Sequence, residues 1–217
     1  SALPSGDQPY LLSPLYPWLM APFLGLDHLL GTSSPLLGLR LLQALMGAIT
    51  ALLVARLAAG LAGRRAGWIA GLLAALHGPS IYYEGEILVA GPQALLLVSA
   101  FYLAHGAQAS ALPSRRWFGS GVALGLASAL RPTALPLALV LLVQGWREAG
   151  AGSVKRILAG LAIAILPFTA NNLFTSGEPV LLTASGGFNF WVGNHAGASG
   201  LFEAPPGYDL VSDPVAL

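Results

Sequence analysis

Residues 37–62, which read LGLRLLQALMGAITALLVARLAAGLA, decide the fold class of this chain. The stretch exceeds the about 20 apolar residues that an α-helix needs to cross the hydrocarbon core of a membrane. Its charged side chains are Arg40, near the start, and Arg56, near the end. Further long apolar runs follow it. The pattern therefore indicates a chain that folds in lipid.

The composition of the whole chain agrees with this reading. Of the 217 residues, 55% are hydrophobic and 9% are charged, and the mean hydropathy is +0.71, whereas soluble domains are about 25% charged. A soluble enzyme, a disordered tail and a coiled coil are excluded. The net charge of +1 offers no basic surface to nucleic acid. The chain lacks cysteine, and its histidines are scattered, so we expect no metal site.

Charges, prolines and glycines divide the sequence into apolar blocks. The block 15–26 is short, and we expect it to lie along the membrane interface with Trp18 as its anchor. The others are expected to cross the membrane, which predicts an all-α, polytopic helical membrane protein with an outer interfacial helix. These blocks are 37–62, 66–81, 87–104, 117–130, 133–146 and 157–174.

Lysines and arginines between the blocks predict the orientation, because they mark the cytoplasmic side. They form clusters separated by paired apolar blocks, as in helical hairpins that return to the same face. The clusters are Arg64 and Arg65, then Arg115 and Arg116, then Arg147, Lys155 and Arg156. The outer face would then carry residues 1–35, the turn from His77 to Glu86, Arg131, and the tail after about Asn171.

Residues 117–146 allow two arrangements. The blocks 117–130 and 133–146 each cover only about 21 Å at about 1.5 Å per residue. They form either two short helices that turn at Arg131-Pro132 or one proline-kinked span. A single span would place the last basic cluster outside, against the charge rule, so two short helices are favoured. Trp117 and Trp146 would then lie at the same inner interface.

We divide the chain into three parts. Residues 1–35 are the end of an outer loop with the interfacial helix, 36–175 a transmembrane module, and 176–217 an extracytoplasmic loop. Within the last part, 185–200 is rich in glycine, asparagine and aromatic residues, which predicts an ordered loop. The chain starts without methionine or a signal-like segment, and we expect a fragment of a longer membrane protein, cut at both ends.

Arg40 and Arg131 are the basic residues that this topology places outside. Ionisable residues at membrane depth are functional candidates, and a guanidinium matches two phosphate oxygens at once. The alternative is that both side chains only snorkel to the lipid headgroups.

A second candidate is the segment 81–87, which holds Tyr82, Tyr83, Glu84 and Glu86. On a continuous helix the two carboxylates would diverge by about 200°, but Gly85 would let both face one cleft. They would serve as a base, as hydroxyl acceptors or as metal ligands; a solvated polar turn is the alternative.

The sequence also contains three shorter motifs. Ser13-Pro-Leu-Tyr-Pro17 presents Tyr16 at the interface. Gly67-xxx-Gly71 and Gly121-xxx-Gly125 are patterns typical of close helix packing.

In order and spacing these pieces resemble the membrane-embedded glycosyltransferases of the GT-C type, specifically the bacterial polyprenyl-phosphate-sugar branch related to the protein mannosyltransferases. The matching pieces cover most of the chain: Ser13-Pro-Leu-Tyr-Pro17, Arg40-Leu-Leu-Gln43, Gly63-Arg-Arg-Ala-Gly67, Tyr82-Tyr-Glu84, Leu130-Arg-Pro-Thr133, Asn189-Phe-Trp-Val-Gly-Asn194 and Gly197-Ala-Ser-Gly200.

The resemblance implies an inverting hexosyl- or pentosyltransferase of the bacterial inner membrane. It would move a sugar from a polyprenyl-phosphate donor to a lipid, glycan or protein acceptor at the extracytoplasmic face. The family's catalytic acid lies in a loop well before Ser13, so we expect it upstream and expect the fragment itself to be inactive. The sequence around Asp7 resembles the end of that loop. No cofactor is implied, although a divalent ion assists some relatives.

The resemblance also suggests roles for individual residues. Arg40 and Arg131 would bind the donor phosphate, and the substrate-binding residues would be Tyr16, Tyr83, Glu84, Glu86, Asn189, Trp191 and Asn194. Broken helices and membrane-level charges also fit a non-enzymatic transporter or an assembly subunit, and this alternative stays open.

Overall fold

The computed structural model describes residues 13, 15–31, 36–107, 110–177, 179–183 and 185–198, without the side chains at 27, 30, 176 and 185–189. Most of these residues are helical and none is in a strand, which confirms the predicted all-α class. The helices are α1 (Leu15–Leu30), α2 (Leu37–Ala62), α3 (Arg64–Ala75), α4 (Gly78–Gly85), α5 (Ala90–His105), α6 (Pro113–Leu130), α7 (Leu137–Ala149), α8 (Ala151–Ser176) and α9 (Ser185–Asn194). A 3₁₀ turn, Pro132–Ala134, separates α6 from α7.

The helices α2, α5 and α6 form the middle of the bundle. α2 packs between α3 and α5, and α6 packs between α5 and α8. α2 and α5 run parallel, because Gly60 and His105 meet at their C-terminal ends while Gly47 and Gly91 both lie beside Glu84 at the other end. α6 then returns beside α5.

Arg116, at the start of α6, joins it to the end of α5. Its guanidinium donates hydrogen bonds to the carbonyls of Leu103 (3.1 Å) and Tyr102 (2.9 Å). These carbonyls belong to the last turn of α5, where helical hydrogen bonding ends, and that of Tyr102 also accepts from the backbone N–H of Gly106 (3.1 Å). The basic residue therefore caps α5 and fixes the α5–α6 hairpin.

Glycines bring α6 and α8 into direct backbone contact. Gly121 lies against Ile157 of α8, and Gly125 lies against Leu161 and Ala164. Along this contact the residue numbers of α6 and α8 increase in the same direction, so the two helices run parallel. The intervening α7 must therefore run in the opposite direction, which agrees with the favoured interpretation of two short helices that turn at Arg131-Pro132.

Two single-residue turns need glycine. Gly63 alone separates α2 from α3, with φ 87°, and Gly150 alone separates α7 from α8, with φ 69°. Positive φ is the region that glycine adopts at little cost. The α2–α3 turn brings Gly67 and Gly71 onto Ala55 and Ala59 of α2, so both predicted glycine pairs lie at helix contacts.

The surface of the bundle requires an apolar environment. By length and composition, two helices are suited to cross a membrane, Leu37–Ala62 and Ala151–Thr175. The most apolar window of α2 is only 6% buried, and large side chains such as Leu41, Leu45 and Leu52 are exposed along it. Water-soluble proteins rarely expose apolar faces of this size. This surface requires an apolar environment, and the protein is a membrane protein.

The structure corrects the prediction that 66–81 forms one helix. The helix α3 has 12 residues and rises about 18 Å, and the chain breaks at Leu76 and His77. Pro79, in the first turn of α4, is favoured at a helix start and unsuited to a helix interior. The predicted turn from His77 to Glu86 therefore contains a short helix.

Trp117 is buried in the same core cluster as Leu141 and Ile157, because α6 is covered by helices on both sides, whereas Trp146 is exposed. Their location at one inner membrane interface stays a prediction. Residues 185–194, predicted as a loop, form α9. Contacts between residues four apart stabilise this helix despite its glycines.

The helix α1 rests on the bundle. The ring of Trp18 lies 5.1 Å from that of Phe168 on α8, and α1 also contacts α2 and α6. Its location at the membrane interface stays a prediction.

The helix directions place Arg64, Arg115 and Arg156 at one end of the bundle and Glu84 at the other. Because the chain lacks cysteine, single cysteines at these positions and at Asn194 can be probed with a membrane-impermeant thiol reagent. We expect positions 84 and 194 to label from outside, and the basic positions only after permeabilisation. Labelling of 115 and 194 from the same side would contradict this topology.

The α6–α8 contact predicts the effect of Gly121→Ala. The new Cβ would overlap the carbonyl oxygen of Ile157, which belongs to a rigid helix backbone. We expect a loss of about 1–3 kcal/mol in the free energy of unfolding, as for other overpacked sites. Unfolding in detergent measures it.

Gly25→Ala is the matched control. A Cβ at Gly25, inside α1, meets no atom within 4 Å, so this substitution should stabilise the protein by about 0.5–1 kcal/mol. Equal stability of both variants would argue against the close α6–α8 approach.

Candidate functional site

A cleft of about 370 Å³ opens between α2, α3, α4 and α5. One part of its lining is polar, with Glu84, Ser80, His77 and Thr50. The rest is apolar or glycine: Gly47, Ala51, Val54, Leu73, Ala74 and Ala94. A cleft of this size with a few convergent polar groups is the usual form of a small-molecule site. It lies at the end of the bundle where α2 and α5 begin.

Glu84, in the last turn of α4, is the acidic residue of this cleft. Its carboxylate lies against the backbone of Gly47 on α2, and a side chain at position 47 would collide with it. The Cγ of Glu84 approaches Gly91 of α5. The side chain is half-buried, and this burial raises the pKa of its carboxyl above the ordinary value. A partly desolvated carboxylate accepts hydrogen bonds or a proton more readily than one in water.

His77 and Ser80 add a polar pair. The Nδ1 of His77 and the hydroxyl oxygen of Ser80 share a hydrogen bond of 2.8 Å. Hydroxyl and imidazole groups can each donate or accept hydrogen bonds. With Glu84, the pair can bind a ligand that carries several hydroxyl groups.

A fully buried amide lies one helical turn from Gly47. Gln43 accepts a hydrogen bond from the hydroxyl of Tyr16 (2.9 Å) through its Oε1. Its Nε2 lies 2.8 Å from the carbonyl oxygen of Glu86, with the carbonyls of Leu88 (3.4 Å) and Glu84 (3.5 Å) nearby. The amide thereby joins α1, α2 and the turn between α4 and α5.

The structure separates the predicted pair of carboxylates. Glu86 follows the end of α4, its side chain is exposed, and it does not line the cleft. Tyr83 is also exposed and packs edge-on against Tyr82, with ring centroids 5.4 Å apart. The expectation that Glu84 and Glu86 face one cleft is therefore wrong. The helix ends between them, which sends the two side chains to different surroundings.

Arg40 and Arg131 lie at the same end of the bundle as Glu84. Arg40 is in the first turn of α2, and Arg131 follows the last residue of α6, which runs antiparallel to α5. Both side chains are exposed, and neither lines the cleft.

The α9 candidates lie after α8, which ends at this same end. The Trp191 ring stacks on His195 at 4.2 Å with an interplanar angle of 5°, and Asn194 donates to the carbonyl of its own helix at Phe190 (2.8 Å). The side chain of Asn189 lies outside the described residues. Trp191 therefore offers one ring face at most, because His195 covers the other.

Sequence reasoning missed Gln43, His77 and Ser80. A signal existed for Gln43, because an amide in the middle of an apolar helix needs hydrogen-bond partners. No comparable signal exists for His77 or Ser80, which reach the cleft only because α4 folds against α2. Among the described residues, no group of His, Asp or Glu is suited to hold a metal ion.

The described residues thus form an all-α membrane module with a polar cleft and two exposed arginines at one end. A sequence model of the dolichyl-phosphate-mannose-protein mannosyltransferase family matches residues 7–174. The chain belongs to this family, which confirms the resemblance to membrane glycosyltransferases of the GT-C type. Neither a curated protein nor a solved structure matches it significantly.

The raised pKa of Glu84 predicts how stability depends on pH. A carboxyl whose pKa is higher in the folded state contributes stability that is complete below its unfolded-state pKa and is lost as pH rises through the folded-state pKa. Glu84→Gln removes this dependence. The variant should therefore gain stability relative to the wild type as pH rises through that window, and the gain should then level off. Thermal unfolding between about pH 4 and pH 8 measures it.

Glu86→Gln is the control, since it removes the same charge from an exposed side chain two residues away. If both variants changed with pH in parallel, burial of Glu84 would not be the cause.

Proposed function

We propose that the protein transfers a sugar from a polyprenyl-phosphate carrier to a hydroxyl-bearing acceptor at the extracytoplasmic face, with Arg40 and Arg131 binding the carrier phosphate. The observation that carries the proposal is the position of these arginines. Both are exposed at the end of the bundle opposite Arg64 and Arg115, next to the elements that build the Glu84 cleft. Family membership supports a glycosyltransferase and adds the lipid-phosphate class of donor.

The surroundings of Arg40 suit a lipid-linked phosphate. Exposed leucines, Leu37 and Leu41, flank it on α2, and a polyprenyl chain can lie along this apolar face. The phosphate at the end of the chain would then meet the guanidinium at the bilayer surface. A charge-assisted, bidentate contact of this kind is stronger than a neutral hydrogen bond.

The chemistry explains why cations are needed. The acceptor oxygen attacks the anomeric carbon, the bond from that carbon to the phosphate oxygen breaks, and the acceptor proton passes to a base. Polyprenyl phosphate leaves with an additional negative charge. Guanidinium groups at this phosphate stabilise the charge as it develops, which lowers the barrier. A single displacement inverts the configuration at the anomeric carbon.

On the acceptor side, we assign Glu84 with His77 and Ser80 to hold hydroxyl groups in the cleft. The exposed face of Trp191 would pack on a sugar ring. We further propose that the protein acts as a multi-pass protein of a bacterial inner membrane, because its basic clusters follow the positive-inside pattern.

The phosphate role predicts that Arg→Lys impairs transfer although it keeps the charge, since lysine lacks the planar fork. Arg40→Ala and Arg131→Ala should each lower kcat/KM by about 10- to 150-fold, as expected when a hydrogen bond to a charged group worth about 1.5–3 kcal/mol is lost. A lower kcat would indicate a contact that strengthens in the transition state, and a higher KM alone a uniform one. Steady-state kinetics of the intact enzyme measures both.

Arg64→Ala is the matched control, because Arg64 is equally exposed but lies at the opposite end. It should leave kcat/KM unchanged. Wild-type activity in both lysine variants would support simple snorkelling. A separation of more than about 20 Å between the two guanidinium groups would exclude a shared phosphate site, because hydrogen-bond donors must lie within about 3 Å.

A further inference from the structure

The buried face of α2 is directed towards the last turn of α4, which carries Glu84. Along this helix the buried residues are Leu39, Gln43 and Gly47, spaced four apart on one face. Gly47 makes room for the Glu84 carboxylate. Gln43, one turn earlier, is fully buried and is the polar member of this face.

The hydrogen bonds of Gln43 are directional. An amide nitrogen has two donors, and here it faces the carbonyls of Glu86, Leu88 and Glu84. These carbonyls surround the end of α4 and the turn into α5, where regular helical hydrogen bonding is interrupted. The amide therefore adds hydrogen bonds to this part of the backbone, where the carbonyl of Glu86 also accepts from the backbone N–H of Leu88 (2.9 Å).

Tyr16 sets the orientation of the amide. Its hydroxyl donates to Oε1 of Gln43 at 2.9 Å, and the tyrosine is buried. This side-chain hydrogen bond links α1 to α2. Because the oxygen is held by Tyr16, the nitrogen must face the turn. Burial raises the pKa of the Tyr16 phenol above its ordinary value.

We propose that Gln43 is a positioning residue, whose amide is oriented by Tyr16 and holds the α4–α5 turn so that Glu84 faces the cleft. The helix α1 is thereby coupled to Glu84 through Gln43. The consequence for catalysis rests on the proposed function, whereas the positioning itself does not.

Hydrogen exchange of backbone amides tests the positioning without any assay of activity. In Gln43→Leu we expect exchange in residues 84–89 to rise by about tenfold or more, as lost hydrogen bonds allow local opening. Helices α6 and α8 should be unchanged. Gln43→Glu has nearly the same shape but, when ionised, no donors, and should loosen the turn at least as much.

Tyr16→Phe is the mildest and most specific variant, because it deletes one oxygen atom. It should also speed exchange in residues 84–89, an effect that a purely local role of Tyr16 would not produce. Gln144→Leu is the control: this amide donates to Glu148 on the surface of α7 at 3.0 Å, and its loss should leave the turn unchanged. An unchanged turn in Gln43→Leu and Tyr16→Phe, or a uniform rise in all helices, would overturn the proposal.

Kinetics of the intact enzyme test the consequence for transfer. Gln43→Leu should lower kcat/KM by about tenfold in the wild-type background. In the Glu84→Gln background the same substitution should have little further effect, because the effects of two substitutions are not additive when one residue acts through the other. Full additivity would overturn the link to Glu84. Absence of any transfer by the wild type would refute the proposed function, and hydrogen exchange would still decide the positioning.

Discussion

The close contact between α6 and α8 is the constraint on which the arrangement of the end that carries Arg40 and Glu84 depends. Gly121, Gly125 and Gly160 let the two backbones approach so closely that a Cβ at Gly160 would lie 2.7 Å from the backbone nitrogen of Val122. In lipid, helices associate through such packing, since burial from lipid brings no hydrophobic gain. Because the two helices run parallel, α7, which connects them in the chain, has to run in the opposite direction. Arg131 is thereby brought to the end of the bundle that carries Arg40.

Two of the polar side chains inside this apolar bundle, Gln43 and Arg116, have specific hydrogen-bond partners. Gln43 bonds to Tyr16 and the turn after α4, and Arg116 bonds to the last carbonyls of α5 and lies 5.2 Å above the Tyr102 ring. An unpaired buried polar group costs far more in an apolar environment than in water. These contacts therefore specify one arrangement of α1, α4 and α5. The half-buried Glu84 carboxylate is tolerated because it borders an open cleft.

The fold was predictable where local composition decides it. The bounds of α2 agree with the predicted 37–62. The helix α8 begins at Ala151, before the predicted 157, because Lys155 and Arg156 can extend from a helix into the interface without ending it. Predictions failed where packing decided: α3 ends early, and 185–194 is helical.

By itself, the sequence determined the membrane class, the basic clusters and the exposed arginines, since each follows from composition or from the spacing of charges along the chain. Only the tertiary structure decided which polar side chains meet. Tyr16 and Gln43 are 27 positions apart, and Gln43 and Glu86 are 43 apart. It also separated Glu84 from Glu86 and brought His77 to the cleft. These outcomes depend on how the helices pack, and contacts between distant residues leave no periodic pattern in a single sequence.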